Sequence, residues 1–419
     1  MLLNDSRFMA MDWGGGINTL GAIILLASIC PLCALLGYLT PRLIDDYASG
    51  QATKAGQAYA INVLGCVLGP LFACYVLLPN LSERYALILL CLPFFIFYFL
   101  LCRAKLQWQQ LGWGLLAGVV LGASIFFVRD FQGALLRSQK NTIVRRDYTA
   151  SVISFEDAVS RKWAFSQWHR HDYFDPHHQI YGSFTAGFPS RPSEINIGYL
   201  FRHGHNLSFG LSWDIDTTVV ELVPSVTKAF GFYHADAEKF INNPNGHIII
   251  DDGRRYLNRC GKKFDVIVVD PPPPVEAAGS SLLFSTDFYT LAKQHLNTNG
   301  ILQMWFPGGE YSTQQAVLRS IHESFPYVRC FSSIEKWGLH LLASMEPIEQ
   351  LDPAQLAARI PEGAQKDLLE WNNSKNLTTY LSYVVTNEYS IPLSLNPNPS
   401  VQVTDDQPFN EYFLIRLLN

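Results

Sequence analysis

Three carboxylates in the second half of this chain fall at the ends of short apolar runs. Glu221 closes T-T-V-V-E, Asp252 follows H-I-I-I-D, and Asp270 closes F-D-V-I-V-V-D. A carboxylate accepts more than one hydrogen bond, so an acid after a second strand suits two ribose hydroxyls. A strand-end acid also serves as the N-cap of a following helix, and one alone would carry little. Three at consecutive strand ends favour a functional reading. In open α/β sheets ligands lie outside the carboxyl ends of the strands, so Glu221, Asp252 and Asp270 are expected to line one crevice.

The elements around these acids alternate. Thr217–Leu222 reads as a strand, and Pro224 opens a helix through Val226–Phe230. His247–Ile250 is a strand that runs into Asp251, Asp252 and Gly253, followed by a basic helical stretch, Arg254–Asn258. Phe264–Asp270 is a fully buried strand and Thr286–Leu296 a helix. Asn299-Gly300 is a turn, Ile301–Phe306 a strand and Ser312–Ser324 a helix, with strands at Val328–Phe331 and Leu339–Ala343. Short apolar strands alternating with helices predict a Rossmann-like parallel sheet across residues 211–345. Residues 346–419 follow as a C-terminal extension, helical around Pro353–Arg359 and Lys366–Trp371. Its Asp405 and Asp406 could approach the site, but solvated loop acids are the plainer reading.

The first third is different. Residues 17–128 hold few charges and carry four apolar runs: Ile17–Leu39, Ala55–Leu78, Ala86–Leu101 and Leu111–Val128. A helix needs roughly 20 apolar residues to cross a bilayer, so residues 1–130 are expected to form an all-α transmembrane bundle of about four helices. Basic residues weight the side holding both ends (Arg7, Arg84, Arg129, Arg137, Lys140, Arg145, Arg146) over the other (Arg42, Lys54, Arg103, Lys105). That bias predicts a multi-pass protein of the cell membrane whose soluble domain faces the cytoplasm. Gly65 and Gly69 suit close helix packing. No acid sits mid-span, so the bundle reads as an anchor rather than a transport path. Cys30 and Cys33 form a C-x-x-C, read as apolar packing rather than a redox or metal pair. Residues 131–161 are a basic linker, suited to anionic headgroups, and the start of a β-hairpin. A net charge of −5 gives no reason to expect nucleic acid.

The runs V-V-E-L-V-P-S-V, I-I-D-D-G-R-R-Y-L, F-D-V-I-V-V-D-P-P-P-P-V-E-A-A-G-S-S-L-L-F-S and F-Y-T-L-A-K-Q-H-L-N-T-N-G-I-L-Q resemble the spermidine synthases, in particular their membrane-fused bacterial relatives. The resemblance covers about 130 residues, Leu211 to Ser344. It implies transfer of an aminopropyl group from decarboxylated S-adenosylmethionine, a co-substrate, with no cofactor bound and no metal needed. By the same resemblance Glu221 binds the ribose and Asp252 the adenine amino group, with Asp251 and Gly253 in the same motif. Asp270 is the acid near the attacking amine, and Tyr289 lies in the segment that closes the site. A carboxylate there can orient the amine, accept its proton and favour the sulfonium electrostatically. Many members carry a second acid three residues after the catalytic one, for the diamine; here Pro273 stands there, with Glu276 nearby. The acceptor amine is therefore open.

One segment departs from the pattern. A fold of this type opens with a strand and a glycine-rich turn, yet Gly198–Gly210 reads G-Y-L-F-R-H-G-H-N-L-S-F-G, without G-x-G. Six of the 11 histidines fall between His169 and His205. His169, His171, Asp172, Asp175, His177 and His178 have metal-ligand spacing; a polar surface loop is the plainer reading. Sliding the frame forward by one base explains more. The codons allowed for Gly198–Gly210 then permit A-I-C-F-G-T-G-T-T-F-R-S-A, a buried strand running into G-x-G. Those for Lys162–Pro189 permit a string like the hairpin and helix that precede the domain in the fused synthases. Residues 162–210 thus read as a frameshifted segment, a reading that requires those strings in the +1 frame of the coding DNA. On that reading the chain as written lacks its first core strand and its glycine turn.

The leading expectation is a membrane-anchored aminopropyltransferase. Methyl transfer from S-adenosylmethionine on the same scaffold is the alternative enzyme. An inactive membrane protein with a degenerate nucleoside-binding domain is the alternative outside the enzyme class. The expected partners are a small-molecule amine and the lipid bilayer, with a homodimer as an open option.

Overall fold

The computed structural model describes residues 19–102, 108–127, 140–156, 162–166, 169–171, 197–200, 210–233, 237–271, 275–334, 338–370, 376–391, 398, 401–412 and 416. The chain divides into two compact units, Met1–Arg170 and His171–Asn419.

The first unit opens with long helices over the four apolar runs: α1 (Thr19–Ala48), α2 (Ala52–Phe72), α3 (Glu83–Cys102) and α4 (Trp108–Phe127). After Phe72 the chain passes through a π-helical turn, Ala73–Leu77, and ends the helical run at Asn80. Among the described residues one stretch, Ala52–Asn80, is long and apolar enough to cross a membrane by length and composition. No residue of α2 is buried, and Ile61, Leu64, Phe94, Phe97, Val119 and Val120 all face outward from the helices. A four-stranded sheet follows in the order β1 (Lys140–Arg146), β2 (Ser151–Glu156), β3 (Lys162–Ser166), β4 (His169–His171). β1–β2 and β2–β3 are antiparallel. Glu83 at the start of α3 accepts a hydrogen bond from Ser151 at 3.1 Å.

The second unit is built on an eight-stranded sheet. Its strands are β5 (Ile197–Leu200), β6 (Thr217–Glu221), β7 (Gly246–Ile250), β8 (Phe264–Val269), β9 (Leu296–Phe306), β10 (Tyr327–Ser332), β11 (Leu339–Ser344) and β12 (Glu388–Tyr389). The order is β12-β10-β11-β9-β8-β5-β6-β7. From β7 to β9 all pairings are parallel. β11 is antiparallel to β9, and β10 antiparallel to β11 and β12, so the expected all-parallel sheet is in fact mixed. The reason is connection length: β10 and β11 are joined by only a few residues, and a parallel pair needs a crossover of about a dozen or more.

Two other expectations change. The strand thought to be missing is present: β5 lies between β6 and β8 and pairs in parallel with both. Ile197, Tyr199 and Leu200 supply β-favouring residues at that place whatever the origin of the segment. The glycine turn would follow β5 and lies outside the described residues. Asn299-Gly300 is not a free turn but part of β9, where Asn299 takes φ 63°. The extra residue is absorbed as an irregularity against β8 between Phe264 and Val266, and asparagine tolerates the left-handed conformation.

Alternation along the strands splits the core between the sheet's two faces. Val266 and Val268 pack on one face with Trp213, Phe230, Leu356, Leu368, Tyr380 and Leu381. Ile267 and Val269 pack on the other with Leu302, Met304, Phe284, Phe288, Val317 and Ile321. Helices α5 (Pro224–Tyr233), α11 (Pro353–Arg359), α12 (Glu362–Glu370) and α13 (Leu377–Val385) serve the first face. Helices α7 (Gly253–Arg259), α8 (Ser281–Phe284), α9 (Thr286–Gln294) and α10 (Tyr311–Ser324) serve the second, and the short α6 (Ala237–Ile241) leads into β7. The described elements after residue 346 are built into this core: α11 to α13 supply one layer, β12 lengthens the sheet, and Ile391, Val401 and Val403 pack with the second face. The helix α13 and the strand β12 had no clear signal in the sequence.

Candidate active site

Strand order reverses at β5: the chain proceeds outward through β6 and β7 on one side and through β8 and β9 on the other. Such a switch point opens a crevice at the carboxyl ends of the strands, because the two connections leave in opposite directions. The register fixes what stands around it. Leu200, the last residue of β5, is level with Val220 on one side and Val269 on the other. Glu221 and Asp270 therefore each lie one residue beyond that level, flanking β5. Two strand spacings put their backbones roughly 10 Å apart. Glu221 is level with Ile250, so Asp251 and Asp252 follow one and two residues beyond the neighbouring strand. The sheet thus brings the sequence-predicted acids to one edge.

Each acid has a different setting. Glu221 is buried, and its carboxylate accepts the backbone N–H of Val223 at 2.8 Å; its own carbonyl accepts the N–H of Asp251. A carboxylate this buried must be hydrogen-bonded. Asp251 is mostly covered. Its carboxylate accepts the backbone N–H of Asp252 at 2.8 Å and pairs with the Arg255 guanidinium. Burial works to raise its pKa, but the bonds from Arg255 and from the Asp252 backbone outweigh it and hold the group below the ordinary range. Asp252 is the N-cap of α7, accepting the Arg255 N–H at 2.8 Å. The bland reading of a strand-end acid is thus true of Asp252, and Gly253 is the first residue of the helix it caps. One carboxylate oxygen can cap while the other stays available. Asp270 is half-buried directly after β8.

Tyr289 is placed otherwise than expected. Its ring is fully buried on the second face, edge-on to Phe288 and Phe325. Burial pushes its phenol far above the usual value, and the side chain is part of the second core cluster. Pro273 lies outside the described residues. Glu276 turns back toward the β9–α10 connection and accepts the Glu310 N–H at 3.3 Å. Gly309 permits this approach: a Cβ there would stand 2.7 Å from Val275 and 2.8 Å from Glu276. Of the histidine-rich set, only His169 and His171 fall in a described element; the others lie outside the described residues.

Asp405, expected as a solvated loop acid, is exposed but paired. It forms a two-pronged pair with Arg254, the residue after Gly253, and accepts the Ser285 hydroxyl at 2.7 Å. The Arg254 bond, chiefly, holds its carboxyl below the ordinary range against a smaller effect of burial. A guanidinium and a carboxylate 151 positions apart carry no local signal of pairing.

The sheet order, with its parallel strands and switch point, defines an open α/β fold of the Rossmann type. Comparison with known proteins narrows this. Residues 212–331 match the spermine/spermidine synthase domain. Over 148 residues the chain is 27% identical to polyamine aminopropyltransferase 2 of Hyperthermus butylicus, covering 35% of this chain and 47% of that protein. Over 83 residues it is 39% identical to the polyamine aminopropyltransferase of Methanocaldococcus jannaschii, covering 20% and 28%. The match thus spans less than half the length of either relative. Among solved structures, the spermidine synthase of Thermotoga maritima aligns with 54% of this chain and 86% of its own, at 16% identity and a TM-score of 0.41.

Proposed function

We propose that this chain is a membrane-anchored aminopropyltransferase that uses decarboxylated S-adenosylmethionine and a small amine. The observation that carries the reading is the placement of Glu221 and Asp270 on either side of β5, at the switch point and inside the segment that matches the synthase domain. The reaction breaks the bond between the sulfonium sulfur and the aminopropyl carbon. The amine nitrogen supplies the electron pair of the new C–N bond, and the sulfur keeps the old pair and becomes a neutral thioether. Glu221 holds the ribose hydroxyls and Asp252 the adenine amino group, with Asp251 and Gly253 shaping the same edge. Asp270 orients the neutral amine and takes the proton that the new ammonium releases. The rows of outward-facing apolar side chains on α1 to α4 support the anchor, since apolar patches of that extent need a covering. The excess of basic residues beside the two ends of the bundle supports a cytoplasmic site.

The test is product analysis with the detergent-purified chain, an amine mixture and each sulfonium donor in turn. An elongated amine formed only from the decarboxylated donor supports the proposal. A methylated product from S-adenosylmethionine replaces it with methyl transfer, and failure to bind either donor replaces it with an inactive nucleotide fold. Asp270→Asn should lower kcat by about 10²–10⁴-fold, the usual contribution of a positioned base, with little change in donor affinity.

A further inference from the structure

Residues 275–285 are tied down by a segment more than 100 residues away. Asn410 is fully buried; its amide donates to the Val275 carbonyl and, at 2.8 Å, to the Ser280 hydroxyl. The Ser280 hydroxyl donates to that same Val275 carbonyl. One oxygen of the next residue, Glu411, accepts the N–H of Gly279 at 3.0 Å, the N–H of Ser281 at 3.1 Å and the Ser281 hydroxyl. Gly279 sits at φ 84°, a turn that side-chain-bearing residues rarely make. Further along, Asp405 holds Arg254 and Ser285, and Arg254 donates to the Leu282 carbonyl at 3.0 Å. Thr286 donates its N–H to the Val403 carbonyl. Arg416 pairs with Glu310 at 2.8 Å and lies 4.0 Å over the Phe409 ring.

The bonds from Asn410 and Glu411 have one feature in common: they serve backbone groups of the loop and of the first residue of α8, namely the Val275 carbonyl and the N–H groups of Gly279 and Ser281. Without them the N–H groups of Gly279 and Ser281 and the carbonyl of Val275 would turn to water, and the loop would follow. We infer that Asn410 and Glu411 are positioning residues. They fix the 275–281 loop at the carboxyl end of β8 and so set where the acceptor amine stands relative to Asp270. The inference rests on the aminopropyl-transfer reading for its amine, though not for the hold on the loop.

Two measurements on the full chain in detergent test it, using Glu411→Ala and Glu411→Gln. Glutamine keeps an acceptor oxygen, so it should rescue most of the alanine defect. The first is amide hydrogen exchange: in E411A, Gly279 and Ser281 should exchange at least about tenfold faster, while the β8 amides of Val266–Val269 stay as protected as before. The second is steady-state kinetics: KM for the amine should rise about tenfold, with kcat within about threefold and donor affinity unchanged, the pattern of lost ground-state placement. Unchanged exchange at Gly279 and Ser281 overturns the inference. So does an equal acceleration in β8, which is general destabilisation, or a fall in kcat and donor affinity with no amine-specific change. A wild-type chain that shows the Glu411-dependent protection but transfers no aminopropyl group sinks the proposed activity, and with it the role toward the amine. The hold on the loop would stand.

Discussion

At the scale of single residues, the acids at the sheet edge do two kinds of work that substitutions can separate. Asp252 caps α7 through the Arg255 N–H and is also the expected partner of the donor's base. Asp252→Ala should cost about 1 kcal/mol of stability, as lost N-caps do, whereas Asp252→Asn should cost a few tenths, because asparagine caps almost as well. Both should weaken donor binding if the carboxylate reads the adenine amino group. Thermal unfolding and donor titration of the two variants resolve the roles, and a D252N protein that binds donor normally would leave Asp252 as a cap alone. Asp405 provides a pH signature. Its folded-state pKa is depressed, chiefly by Arg254, so its pairing stabilises the fold fully above the ordinary aspartate value of about 3.9 and is lost as pH falls below that through the folded value. Asp405→Asn should therefore lower the unfolding midpoint near neutral pH. The gap to wild type should narrow below about pH 4; a constant gap would mean that charge is not what the pair contributes.

At the scale of elements, the carboxyl edge depends on close approaches that side chains would block. Gly338, just before β11, sits at φ 86°, and a Cβ there would lie 2.4 Å from the Phe306 carbonyl and 2.9 Å from the Trp305 indole nitrogen. Gly338→Ala should thus lose about 1–3 kcal/mol, the range for a non-glycine residue forced into such a conformation. The loss would show as a lower denaturant midpoint, and an unchanged midpoint would mean that β11 can shift away from β9. The edge strands β10 and β12 are held by more than their ladder, since Arg329 on β10 forks onto Glu388 of β12 at 2.7 and 2.9 Å. That fork is charge-assisted and matched in shape, which accounts for a strand of only two residues.

At the scale of the whole chain, one half exposes apolar side chains along long helices while the other buries its own in a two-faced core. The membrane proposal predicts that the full chain stays in the membrane fraction after an alkaline carbonate wash and needs detergent to leave it. Release into the supernatant would mean that the exposed apolar helices are covered by protein instead. Protease protection of loops between the helices in sealed vesicles then reads orientation: cleavage of the second unit from the cytoplasmic face is the outcome that the basic bias predicts.

The sequence by itself determined what depends on local pattern. Runs such as F-D-V-I-V-V and T-T-V-V-E read as strands, because short runs rich in β-branched residues favour a pleated, buried surface. The polar breaks among the apolar runs delimited four helices, and acids immediately after strands had to emerge at one edge of a parallel sheet. What the tertiary structure decided was what depends on partners distant in the chain. Ile197–Leu200 became the central strand because β6 and β8 offered it two parallel edges, although its own segment carried no family signal. The hairpin direction of β10 and β11 followed from a connection too short to cross over. Tyr289 went inward because Phe288 and Phe325 surround its place on α9, and its one-letter context could not show that. Asp405 read as a loop acid, and Asn410 and Glu411 carried no signal, for the same reason. Their partners are backbone groups and a guanidinium more than 100 positions away, and hydrogen bonds of that kind leave no periodicity in a sequence.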